Sequence, residues 1–124
     1  MSTKEVQSNQ AFHKTVESVK ASVEAAGLKI ISVINAQENL KKIGIDTRGN
    51  TILEVFHPKL AKEVFDNDIR AGIIPPLRIY IYEGSSSTHV VIQNAVELFS
   101  PYKGLIDLAK RVDEMLDSVV RSVK

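Results

Sequence analysis

The hydrophobic residues of this chain change their spacing several times, and each change marks a structural element. A first series recurs every three or four residues and is followed by Gly27, which predicts a helix over residues 12–26. The next apolar run, residues 28–34, is short and rich in β-branched side chains, so it predicts a strand. Residues 1–10 are polar and show neither period, so we expect them to be frayed. The helical series comprises Phe12, Val16, Val19, Val23 and Ala26.

A second helix and a second strand are predicted next. Asn35, followed three residues later by Glu38, resembles a capping box at the start of a helix that Gly44 ends. Residues 51–56 have the composition of a strand. Ile45 is a candidate start for a short strand that pairs back onto it.

Two more helices are expected, one in the middle of the chain and one at its end. Pro58 suits the first position of the third helix, because its missing N–H leaves no hydrogen bond unmade there. The inner stripe of that helix comprises Leu60, Ala61, Val64 and Phe65. Residues 99–104 form a turn-rich connector to a long C-terminal helix. Its apolar stripe comprises Leu105, Leu108, Val112, Met115 or Leu116, Val119 and Val123.

Residues 77–83 and 88–94 alternate between apolar and polar side chains around a Gly-Ser-Ser-Ser loop, which predicts a β-hairpin. Pro75 and Pro76 precede the hairpin. Because prolines cannot donate to a sheet ladder and disfavour helix in the residue before them, they deliver the chain to the first strand in extended form.

The length of that loop decides which side chains share a face. Four loop residues place Glu83 opposite Thr88 and Tyr82 opposite His89. One face is then aliphatic, with Leu77, Ile79, Ile81, Val90 and Ile92. The other face carries Arg78, Tyr80, Tyr82, His89, Val91 and Gln93, with Arg78 opposite Gln93. Together these elements predict a single α+β domain over residues 1–124, in which helices back one face of an antiparallel sheet and a long helix ends the chain.

Composition narrows the function classes. The 124 residues suffice for one domain, and the formal net charge of +1 lacks the basic excess of a nucleic-acid-binding protein. The absence of cysteine removes disulfides, thiolate catalysis and cysteine-ligated clusters. No apolar run approaches the ~20 residues that cross a bilayer, and no export signal is visible. We therefore expect a cytosolic protein without a nucleic-acid or membrane partner.

Motifs for catalysis or metal binding are not apparent. His13, His57 and His89 lack the spacing of a chelating helical pair, and residues 66–68 lack the glycine and distant glutamate of a calcium loop. No nucleophile elbow or other signature of a serine triad occurs. The sequence therefore predicts no metal and no cofactor, and it assigns no catalytic residue.

The polar face of the hairpin is the candidate functional surface. A solvated face, a subunit interface and a pocket for a small anionic ligand are the three interpretations of Arg78, Tyr80, Tyr82, His89 and Gln93. The first hypothesis is a non-catalytic homodimeric domain that binds a small anion or a protein partner. The alternative is an enzyme in which His89 is the general base and Arg78 or Tyr82 binds an oxyanion or the substrate. A third possibility is binding of single-stranded nucleic acid by the aromatic side chains.

Three segments resemble the "domain of unknown function 302" family: INAQENLKKIG at residues 34–44, EVFHPKLAKEVFDND at 54–68 and IIPPLRIYIYE at 73–83. The likeness covers residues 12–122. It implies a compact α+β domain with an antiparallel sheet backed by helices, homodimerisation, and no established biochemical activity.

The chain departs from that family's pattern at the start of the second helix. Where many members have Asp-His, this chain has Asn35 and Ala36, and Leu40 replaces an alanine. Residues 56–58 are Phe-His-Pro where bacterial members tend to have Gly-Asn-Pro. Ala36 has no titratable group, so no acid/base or metal role of such a pair carries over, whereas Asn35 retains the ability to cap the helix.

Overall fold

The structure is a computed structural model that describes residues 2–123. Its strands are β1 (Thr3–Ser8), β2 (Lys29–Asn35), β3 (Asn50–Phe56), β4 (Leu77–Glu83) and β5 (Thr88–Gln93). Its α-helices are α1 (Phe12–Ala25), α2 (Ala36–Lys41), α3 (Pro58–Asn67), α4 (Ala95–Phe99) and α5 (Ile106–Ser122), and a 3₁₀ helix spans Ile69–Ile73.

The five strands form one antiparallel sheet in the order β1-β5-β4-β3-β2. Within the hairpin, Glu83 pairs with Thr88 and Tyr82 pairs with His89, which confirms the register expected from a four-residue loop. Ile79 and Ile81 are fully buried, so the aliphatic face of the hairpin points inward as expected.

The core lies between the sheet and helices α1 and α5, which pack against each other and against the same face of the sheet. The sheet contributes Leu53, Val55, Leu77, Ile79, Ile81, Val90 and Ile92, and the two helices contribute Val16, Val19, Val23, Leu108, Val112, Leu116 and Val119. The predicted single-domain α+β fold, with helices on one face and a long C-terminal helix, is confirmed.

The expectation that residues 1–10 are frayed is wrong for residues 3–8, which form the edge strand β1. Val6 is the buried hydrophobic residue of this strand, so the sequence carries no strand-like apolar alternation. Its backbone pairs along the whole length of β5, and its buried Ser8 accepts a hydrogen bond from the Thr15 hydroxyl of α1 at 3.1 Å. Backbone pairing and this polar anchor hold the strand, and neither leaves a hydrophobic signal.

The helix starts follow the sequence closely. The side chain of Asn35 accepts a hydrogen bond from the Glu38 N–H at 3.0 Å, as the capping box predicts. At α3, Pro58 occupies the first turn and His57 Nδ1 accepts from the Lys59 N–H at 3.1 Å. Gly27 ends α1 with φ of 89°, a conformation that favours glycine.

Several local expectations are wrong. Residues 45–49 form no strand, so Ile45 does not begin one. The inner stripe of α3 contains the buried Leu60 and Val64, but Phe65 is exposed. The short helix α4 and the 3₁₀ helix were not predicted, because five residues are too few to reveal a helical period.

Candidate functional site

The sheet face opposite the helices, called here the open face, carries the polar side chains of the hairpin. Along β4 the inward residues are buried, whereas Arg78 and Tyr80 are exposed and Tyr82 is half-buried. The open face comprises Glu5 and Gln7 of β1, His89, Val91 and Gln93 of β5, Arg78, Tyr80 and Tyr82 of β4, Asn50, Ile52 and Glu54 of β3, and Ile34 of β2. All five candidate residues from the sequence therefore share one surface.

An apolar row crosses the middle of the open face from strand to strand. Val91 pairs with Tyr80, Tyr80 with Ile52, and Ile52 with Ile34 on β2. Glu5 ends the row at the other edge, where it pairs with Val91. Tyr80 remains 37% exposed, so water reaches the centre of this row.

Three stacked rings occupy the hairpin end of the open face. The Tyr82 ring lies 4.6 Å from the His89 ring with only 6° between their planes, and Tyr80 lies 5.4 Å from Tyr82 at 26°. Tyr82 and His89 are directly opposed in the ladder, where cross-strand side chains make their closest contacts. Stacking restricts the imidazole to one orientation.

The Glu5 carboxylate binds two of these rings. Its Oε2 lies 2.9 Å from His89 Nδ1, and its Oε1 accepts a hydrogen bond from the Tyr82 hydroxyl at 3.1 Å. Partial burial, followed by the hydrogen bond and charge of Glu5, raises the pKa of Tyr82 above its ordinary value. The phenol therefore remains a donor to Glu5 through the neutral pH range.

A serine lies on the far side of the imidazole. Ser87 Oγ is 3.4 Å from His89 Nε2, so Glu5, His89 and Ser87 form a continuous chain of polar contacts. Gly84 borders this contact, and a Cβ at that position would lie 2.6 Å from Nε2. The absence of a side chain at Gly84 therefore leaves the space beside Nε2 open.

Sequence reasoning missed Glu5 and Ser87. Glu5 belongs to a strand that has no apolar alternation, and Ser87 is one of three adjacent serines in a loop. The signal that was available for Ser87 is its position two residues before His89, which places the two side chains on the same side of an extended chain.

Arg78 and Gln93 lie at the opposite end of the open face. Gln93 Oε1 accepts a hydrogen bond from the Arg78 N–H at 2.7 Å, and Arg78 Nε lies 3.8 Å from Glu54 Oε2. Arg78 and Tyr82 are four positions apart on β4, which corresponds to about 13 Å along a strand. The geometry thus brings Tyr80, Tyr82 and His89 together but does not place Arg78 beside His89.

Two shallow grooves flank Arg78. One, of about 470 Å³, also contacts Asn50, Ile52 and Tyr80. The other, of about 440 Å³, is bounded by Ile73 and Glu54. The guanidinium is therefore accessible from both sides.

A separate polar cleft of about 400 Å³ lies at the start of α2. It is lined in part by His13, Asn35, Glu38, Lys41 and Asp46. Asn35 serves there as the helix cap, and Ala36 brings no acid or base to the cleft. Within residues 2–123 no three histidine or acidic side chains converge as metal ligands.

Comparisons with known proteins give a consistent result. A family model described as "Domain of unknown function DUF302" matches residues 4–123. A solved structure described as that of an uncharacterized conserved protein DUF302 from Bacillus stearothermophilus superimposes with a TM-score of 0.90. At 20% identity it covers 100% of this chain and 99% of its own, a likeness that shows the fold alone. Among curated proteins none matches this chain significantly. No helix within residues 2–123 is long and apolar enough to cross a membrane.

Proposed function

The chain belongs to the DUF302 family, and from that premise we propose that it acts in the cytosol as a homodimeric binding domain. In this proposal the apolar row and the Arg78 end of the open face pack against the same region of a second copy, and the hairpin end lies outside the contact. Membership of the family confirms the resemblance inferred from the motifs at residues 34–44, 54–68 and 73–83.

The observation that carries the proposal is the apolar row across an uncovered sheet. Helices α1 and α5 bury the centre of one face, whereas Val91, Tyr80, Ile52 and Ile34 lie in line on the other. Sheets bury apolar faces against another layer, and a second copy supplies that layer. Tyrosine at the centre of such a patch is typical of protein interfaces, because its ring gives contact area and its hydroxyl a hydrogen bond.

The charges of the open face favour a copy of itself as the partner. In a two-fold interface the same patch meets itself, so both copies bring the same set of charges into one contact. Arg78 has Glu54 at 3.8 Å, and Glu5 is bound by His89 and Tyr82. Because each charge has a partner within its own protomer, two such faces meet without unpaired like charges.

The size of a stable interface requires the rim as well as the sheet. Five strands about 4.8 Å apart cover roughly 20 Å by 20 Å, which is about 400 Å². A specific interface buries about 800 Å² per partner, so the sheet alone is too small. Ile73, which is 81% exposed, borders the groove beside Arg78 and extends the apolar surface. We therefore include Ile73 in the contact.

Size-exclusion chromatography with light scattering at tens of micromolar protein tests the proposal. Wild type is expected to elute as a dimer, and Tyr80→Glu and Ile73→Glu as monomers, because each places a charge in the apolar contact. Ile69→Glu is the matched control. Ile69 is 73% exposed in the same 3₁₀ helix but does not line the groove, so this variant is expected to remain dimeric.

Equal dissociation by all three variants overturns the open face as the contact, and a monomeric wild type overturns the homodimer itself. In that case the second candidate function applies, which is binding of a small anionic ligand beside Arg78. This alternative is supported by the Arg78 guanidinium, which lies between two grooves and has its carboxylate partner, Glu54, at 3.8 Å. Stabilisation of the monomer by phosphate, lost in Arg78→Gln, supports that alternative, and its absence overturns it.

A further inference from the structure

We propose that Ser87, His89 and Glu5 form a nucleophile, a general base and an orienting carboxylate that hydrolyse small uncharged esters. This inference goes beyond the homodimer and uses the hairpin end of the open face. It rests on the order of contacts, in which Ser87 Oγ lies 3.4 Å from His89 Nε2, and His89 Nδ1 lies 2.9 Å from Glu5 Oε2. Such a triad is recognised by geometry and roles, whatever the order of its residues along the chain.

The contact with Glu5 determines which imidazole nitrogen carries the proton. An ionised carboxylate only accepts hydrogen bonds, so the neutral His89 ring carries its proton on Nδ1. Nε2 is then unprotonated and lies 3.4 Å from Ser87 Oγ, a hydroxyl that can turn between Nε2 and the Gln7 Oε1 atom, which is also at 3.4 Å. This is the tautomer that a base needs to accept the serine proton.

The base and its carboxylate are held in place by their neighbours. Stacking on Tyr82 leaves the His89 side chain 17% exposed, and the Tyr82 hydroxyl holds the second oxygen of Glu5. Because Tyr82 contacts both residues, the positions of His89 and Glu5 do not depend on their mutual contact alone. Gly84 leaves room beside Nε2, where any larger residue would crowd the ring.

A groove gives access to the serine. It measures about 280 Å³ and lies between the hairpin loop and the start of α1, with Ser87, Gly84, Gln10 and Phe12 in its lining. Helix α1 starts at Phe12 without a side-chain cap, so its first N–H groups have no acceptor within the helix. Peptide donors of this kind stabilise the negative oxygen of acyl transfer when they lie within about 3 Å of it, and the proposal puts that oxygen at the Phe12 end of the groove. The groove is open to solvent, and its volume accommodates a short acyl group.

An ester and water are the only reactants that this reaction needs. Ser87 Oγ bonds to the ester carbonyl carbon as its proton passes to His89 Nε2. The tetrahedral intermediate breaks its bond to the alcohol oxygen, which takes the proton from Nε2 and leaves. Water then gives a proton to Nε2 and bonds to the acyl carbon, and Ser87 leaves with that proton as the carboxylic acid is released. The rate is expected to be slow, because Glu5 is 43% exposed and water weakens its effect on the imidazole.

The test uses the full chain, 4-nitrophenyl acetate and a fluorophosphonate probe. Wild type is expected to hydrolyse the ester and to take up one probe, which peptide mass mapping places on Ser87. Ser87→Ala is expected to lose the label and to lower kcat/KM by roughly a hundredfold. Ser86→Ala is the matched control, since it changes a serine of the same loop that does not contact His89, and it is expected to retain both label and rate.

Glu5→Gln tests whether the Glu5 carboxylate positions His89. Glutamine keeps an acceptor for the Tyr82 hydroxyl but removes the negative charge. We expect kcat to fall with KM unchanged and the pH–rate profile to shift, which a purely structural role would not produce. Circular dichroism checks that each variant is folded. Unchanged hydrolysis in Ser87→Ala, with loss in His89→Ala, would identify an adventitious surface imidazole and overturn the proposal. Labelling at another residue overturns it as well, and neither result depends on the oligomeric state.

Discussion

Glu5 is the residue on which the hairpin end of the open face depends. Its two oxygens contact His89 and Tyr82, which otherwise meet only through their rings. The sequence predicted Tyr82 opposite His89 because pleat and loop length determine that pairing. Glu5 could not be predicted, because its contact with His89 spans 84 positions along the chain and belongs to a strand without apolar alternation.

The titration of Tyr82 measures the effect of Glu5 and of partial burial on a single side chain. Its pKa is raised above 10.0 by partial burial and by Glu5, so the folded protein favours the neutral phenol. The resulting stabilisation is fully present below pH 10.0 and is lost as the pH rises through the raised pKa. In Tyr82→Phe we expect a flatter alkaline decline of the unfolding free energy, measured by urea denaturation. The variant should also lose the late-titrating component of the tyrosinate absorbance. If the component that it loses has the ordinary tyrosine pKa instead, the assignment is contradicted.

At the scale of the elements, polar contacts join helices and strands in ways that the hydrophobic pattern does not predict. The apolar stripe of the last helix says nothing about the partners of its acidic residues, and spacing alone is typical of a solvated, ion-paired face. Asp113 instead accepts hydrogen bonds from the N–H groups of Ala95 at 2.6 Å and Val96 at 3.1 Å, so α5 caps the start of α4. Asp117 pairs with Lys4 of β1 at 3.0 Å. Partners this distant in sequence have no local signature, whereas the local cap at Asn35 was predictable.

Removing the Asp113 cap should therefore destabilise the fold. Asp113→Ala leaves two N–H groups of α4 without acceptors, and hydrogen bonds to charged groups contribute about 2 kcal/mol each, so we expect a loss of about 2 kcal/mol or more in unfolding free energy. Asp117→Ala removes one exposed ion pair from the same helix and should cost less than about 1 kcal/mol. Urea denaturation compares the two variants, and equal losses would show that the cap does not stabilise α4.

At the scale of the whole molecule, the two faces of one sheet have different neighbours. The inner face packs on α1 and α5, as the alternation of β4 and β5 predicted. The family resemblance and the fold class also followed from the sequence, because both depend on apolar spacing over long segments. The order of the five strands did not follow, since β1 was not recognised and pairing between distant strands leaves no periodic signal.

Substitutions on opposite faces should separate folding from assembly. Ile79 is fully buried, so Ile79→Ala should lower the unfolding free energy by about 2–5 kcal/mol. Ile52 lies on the open face, so Ile52→Ala should cost about 1 kcal/mol or less in a dilute sample while weakening the dimer. Urea denaturation at low protein concentration and sedimentation equilibrium measure the two effects. A dilute-sample loss for Ile52→Ala as large as that for Ile79→Ala would place the open face within the core.

The pairing of β1 with β5 has a consequence for protein synthesis. Glu5 is translated 84 residues before His89, so the first strand leaves the ribosome long before its partner exists. A nascent chain that stops short of β5 keeps the hydrogen-bonding edge of β4 exposed, a surface prone to aggregation. The contact between Glu5 and His89 is therefore absent from every chain released before residue 89, and its formation marks a sheet that has been translated through to its fifth strand.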